Sequence, residues 1–105
     1  MDDRAVGPGE SVLRLRWHQA RLPTAVPGHV VVAGDRLVRL ALGVARCQFG
    51  AVLAGRVTAA ELEAARTVDW RVVVLAQEQV LHSDPGPWMR HLEREFHQQL
   101  LAQTG

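Results

Sequence analysis

Five histidines, one cysteine and the run His82-Ser83-Asp84 are the residues of this chain that could hold a metal or activate a nucleophile. His91 and Glu95 stand four apart, as do Glu93 and His97, in a segment whose spacing predicts a helix, so each pair shares a helical face. At about 100° per residue the two pairs flank opposite sides of an apolar stripe and cannot converge on one ion. No His-Glu-x-x-His motif and no Cys/His cluster with ligand spacing occurs. These pairs read as solvated i,i+4 contacts that add only a few tenths of a kcal/mol to a helix.

His82-Ser83-Asp84 has the residue types of a catalytic triad, but a triad requires side chains that converge from separate elements. Asp84, followed by Pro85, reads instead as a turn or cap residue. Cys47 is the only cysteine. It permits no internal disulfide, has no neighbouring histidine in sequence, and reads as a buried structural thiol. Gly7-Pro8-Gly9 precedes any strand and is interrupted by proline, so it is no phosphate loop. The expectation is a chain with no cofactor and no metal. An enzymatic reading survives only as a site shared between subunits, drawing on His29, His82 or Cys47.

Binding is the alternative to catalysis. Lysine, isoleucine, asparagine and tyrosine are all absent, which points to a very GC-rich genome, and all twelve basic residues are arginine. Arg14, Arg16 and His18 alternate along one predicted strand face, with Arg36 and Arg39 as possible neighbours. Such a face could track a phosphate backbone. A net charge of +1 argues against nucleic acid as the main partner. The same near-neutrality weakens repulsion between copies and favours self-association. In the last helix, Trp88, Met89, Leu92, Phe96 and Leu100 fall on one arc, with Gln99 inside it. That stripe suits either the chain's own core or a docking helix on a protein partner.

The elements that must position these residues are legible in outline. Residues 1–10 read as a flexible tail and residues 11–105 as a single α+β domain. Val12 to His18 alternates and predicts a half-buried strand. His29 to Ala33, Gly34-Asp35 and Arg36 to Leu42 predict a hairpin with Val31 opposite Val38 and Val30 opposite Arg39. Both faces of that hairpin are apolar, so a second copy is an expected source of cover. Cys47 to Ala54 reads as a short strand or connector. Thr58 and Glu61 form a capping box that opens a helix over 59–66. Arg71 to Ala76 is a continuous apolar run, the signature of a central strand buried on both faces, and Gln77-Glu78-Gln79 its emergence at a rim. Asp84 to Pro87 turns the chain into the last helix.

The expected fold is thus a small, mainly antiparallel sheet of three to five strands, with a short helix and a C-terminal amphipathic helix packed on one face. The acidic start, Met1-Asp2-Asp3-Arg4, is not followed by an apolar stretch. No secretory leader and no bilayer span are expected, and a cytoplasmic location follows. The functional expectation is a small protein-interaction module (adaptor, accessory subunit or chaperone-like), self-associating as a homodimer, with nucleic-acid binding as the alternative.

Overall fold

Residues 8–104 are described by a computed structural model. In chain order they form α1 (Pro8–Gln19), β1 (Val26–Pro27), β2 (Val30–Ala33), β3 (Arg36–Arg39), β4 (Leu42–Val44), β5 (Phe49–Leu53), α2 (Ala59–Thr67), β6 (Arg71–Leu75), α3 (Gln77–His82) and α4 (Pro85–Thr104). One sheet has the order β1-β4-β5-β6, and β2 and β3 make a separate two-stranded sheet. All pairings are antiparallel except β5 with β6. The mixed α+β class is as expected.

The expected strand over 12–18 is helix α1. Leu13 and Trp17 are 0% and 3% exposed, whereas Leu15 is 51% exposed. A helix returns residue i+4 to the same face and sends i+2 to the other side, which a strand does not. Pro8–Glu10 belong to the first turn of α1 and are not tail; residues 1–7 lie outside the described residues. Close packing explains Gly9, where an added Cβ would come within 2.7 Å of Leu53 Cδ1.

The hairpin forms in the expected register, Val31 opposite Val38 and Val30 opposite Arg39. Gly34 has φ +65°, the left-handed conformation that the first central position of a type II′ turn requires. Its inner face, Val31, Ala33 and Val38, is buried. Leu40 and Val52 extend this second core, which Leu62 and Ala65 of α2 and Val72 of β6 complete.

Cys47 to Ala54 contains a strand, the first of its two expected readings: β5, central in the sheet and buried at all five positions. Gly50 fits there because Leu40 Cδ1 occupies the space where a Cβ would stand, so two apolar layers can close on the strand. The Arg71 run is not central but an edge: among the described residues β6 pairs only with β5, and Val74 is 42% exposed. The parallel crossover through α2 joins β5 to β6. Gln77-Glu78-Gln79 is the first turn of helix α3, not a strand end.

The capping box is present: Glu61 N donates to Thr58 Oγ1 at 3.1 Å and Thr58 N to Glu61 Oε1 at 2.8 Å. It starts α2 on the face of the sheet shared with the hairpin. The other face carries α1, α3 and α4 over Phe49, Ala51, Leu53, Val73 and Leu75. Trp17, Phe49 and Phe96 meet at its centre, with ring centroids 5.4–5.9 Å apart.

Candidate protein interface

The sheet separates α2 from α4, so any cleft that both helices line must lie at the sheet's edge. A cleft of about 530 Å³ does so. Val72 and Val74 of β6 form its floor, Leu62 and Arg66 of α2 one wall, and Glu95 and Gln99 of α4 the other.

The backbone of β6 sets what this edge offers. Arg71 N donates to Gln48 O at 2.9 Å, and Leu75 O accepts from Ala54 N at 2.8 Å. In a parallel ladder these bonds recur at alternate residues, so Arg71, Val73 and Leu75 are committed to β5. The N–H and C=O groups of Val72 and Val74 point to the free side, where no strand among the described residues meets them. Their side chains lie on the α2 face, whereas Arg71 reaches across the α4 side to Glu95, Nη1 to Oε1 at 2.5 Å. The cleft thus presents Leu62, Val72 and Val74 on the α2 side, with the exposed Arg66 beside them, and the Arg71–Glu95 pair on the α4 side.

α4 also fixes the entry to β6. Gln99 is 7% exposed and its Nε2 lies 3.0 Å from Cys47 O, 3.2 Å from Gln48 O and 3.2 Å from Asp69 O. Gln48 and Asp69 have φ of 55° and 67°, left-handed values that cost a non-glycine residue about 1–2 kcal/mol. One amide therefore ties together the turns that precede β5 and β6. Gln48 Nε2 adds a 3.1 Å bond to Val68 O. The signal in the sequence was a polar residue inside the apolar arc of the last helix.

The α4 stripe is used mainly inside the chain. Trp88, Met89, Leu92 and Phe96 are all buried, and only Leu100 of the five reaches the surface, at 37% exposure. The arginine strip is not assembled as expected, because its first three members stand on a helix. Arg14 and His18 line a cleft beside α1, and Arg16 points elsewhere with Nη1 on Gln19 Oε1 at 3.3 Å. Arg36 and Arg39 stand on the hairpin, and α1 packs on β5, α3 and α4.

The residues with chemical potential are dispersed. Cys47 is buried, and His29 stacks on Trp70 at 5.1 Å. Ser83 Oγ donates to Gln79 O, and Asp84 Oδ1 accepts from Gly86 N, as a turn residue does. His91 and His97 are exposed, and Glu95 is engaged by Arg71. Among the described residues no three His, Cys, Asp or Glu side chains gather as metal ligands, and no helix is long and apolar enough to cross a membrane.

No protein family, curated protein or solved structure matches this chain.

Proposed function

We propose that this chain is a small protein-interaction module, an adaptor or accessory subunit, whose sheet accepts a strand of a protein partner along the free edge of β6. The observation that carries the reading is the unprotected edge itself. Five residues, four of them aliphatic, run along it without proline or bulge, two of the devices that normally blunt such edges, and its one charged side chain, Arg71, is drawn to Glu95. Main-chain bonds to Val72 and Val74 supply affinity, and the two flanks supply selectivity. A fitting segment is extended and amphipathic. Its residues on the α2 side are apolar, to meet Leu62, Val72 and Val74; its alternate residues are polar, to meet Arg71, Glu95 and Gln99.

Val74→Pro tests this. The Val74 N–H points away from β5, so proline removes a donor only from the free side and sits where edge strands tolerate it. Peptides selected from a random library on the wild-type protein are expected to alternate apolar and polar residues and to lose binding to Val74→Pro. Selected peptides that lack this period, or that bind the variant equally well, overturn the reading.

A further inference from the structure

The hairpin presents a second surface. Its outer face carries Val30, Val32, Leu37 and Arg39, with the three aliphatic side chains 44%, 65% and 66% exposed. Val32 and Leu37 are directly opposed across the ladder, so they form one contiguous apolar pair. Asp35 precedes Leu37 by two residues at the turn, and Arg39 follows it by two at the open end. Each is about 7 Å from Leu37 along the strand. Neither makes an ion pair among the described residues. The Arg39 guanidinium lies at the open end, where a Cβ on Gly28 would come within 3.3 Å of Nη2.

We propose that this face binds the same face of a second copy. A two-fold axis at the level of the Val32–Leu37 pair, in the plane between the two hairpins and perpendicular to the strands, lays β3 antiparallel over its equivalent. Leu37 then meets Leu37 and Val32 meets Val32. Asp35 of each copy falls opposite Arg39 of the other, twice. Stacked sheets lie about 10 Å apart, a gap that an arginine facing an aspartate can bridge. The face is thus self-complementary in both apolarity and charge, the condition an isologous interface must meet. Its small extent places the pair among weak, concentration-dependent dimers. This surface is separate from the β6 edge and does not depend on it.

The test is a charge exchange read by sedimentation velocity over a dilution series through the micromolar range. Wild type is expected to dimerise. Asp35→Arg and Arg39→Asp each place like charges across the axis and are expected to weaken the dimer by about tenfold or more. In a mixed dimer of the two variants, both cross-axis contacts again set an arginine against an aspartate, with the signs exchanged at one of them. The mixture is therefore expected to associate. Val74→Pro is expected to leave dimerisation unchanged. A wild type that stays monomeric throughout overturns the proposal. So does a dimer that ignores both single reversals or that mixing does not restore. In either case the strand-acceptor reading of β6 is untouched and is judged by its own peptide assay.

Discussion

The four-stranded sheet ends in two unlike edges. On one side β1 is two residues long, Val26 and Pro27, and its proline has no N–H to offer an incoming strand. Segment 20–25, with Leu22 and Ala25 packed toward the core, runs between β1 and α1 and lines a cleft there together with Pro27. On the other side β6 runs five residues with two amides and two carbonyls facing outward. One edge is two residues long and ends in proline; the other is five residues long and mostly aliphatic, and each lies beside a cleft. The same core supports both, so stability alone does not explain the asymmetry. On the proposed reading, the edge left open is the one that takes the partner strand.

The largest expected effect separates the two sides of β6 itself. Proline at residue 73 removes a ladder bond to β5 and is expected to cost about 3 kcal/mol or more, whereas proline at 74 is expected to cost under about 1 kcal/mol. Urea denaturation of the two variants measures the difference. Equal costs would mean that the outward amide of Val74 is engaged within the chain, and the contrast between the edges would fail.

Next comes Gln99→Leu, which keeps the packing volume but leaves the carbonyls of Cys47 and Asp69 without their donor, while Gln48 O keeps its bond from Arg71 N. A loss of about 2 kcal/mol is expected from such unsatisfied groups, with faster amide exchange at Val72 and Val74. A purely global loss, with no local loosening at β6, would show that α4 does not position this edge.

The smallest effect is expected from Pro27→Val. It restores one donor to the β1 edge, and the change in stability is expected to stay within about 0.5 kcal/mol. If the variant begins to bind the peptides selected on wild type even when Val74→Pro is also present, the missing donor is what blunts β1. If it binds none, the shortness of β1 suffices.

Much of the fold was legible because it rests on local rules. Gly34-Asp35 between two aliphatic runs dictates a two-residue turn and hence its register. Thr58 and Glu61 announce a helix start, and the arc from Trp88 to Phe96 announces the face that α4 buries. The errors have equally physical causes. Leu13 and Trp17 are four apart, a spacing that serves both a helix face and a strand face; only Leu15, which the fold leaves exposed, separates the two periods. β5 was obscured because Gly50 and Ala51 dilute its apolar signal. Small residues are what a strand needs when layers close on both its faces. The candidate site was the least legible part. An unbroken aliphatic run says that β6 prefers burial, but not whether a second neighbour is present.

What the sequence determined by itself was each decision made within a few residues: the hairpin turn and its register, the α2 cap, and the stripe of α4. Steric and hydrogen-bonding preferences act at that range without reference to the rest of the chain. The tertiary structure alone decided that α1 is a helix, that β5 lies at the centre, that β6 has one neighbour instead of two, and that Gln99 reaches three carbonyls from two distant turns. Those outcomes depend on which surfaces meet across the sheet, and burial against a distant partner is a property of the pair, not of either segment.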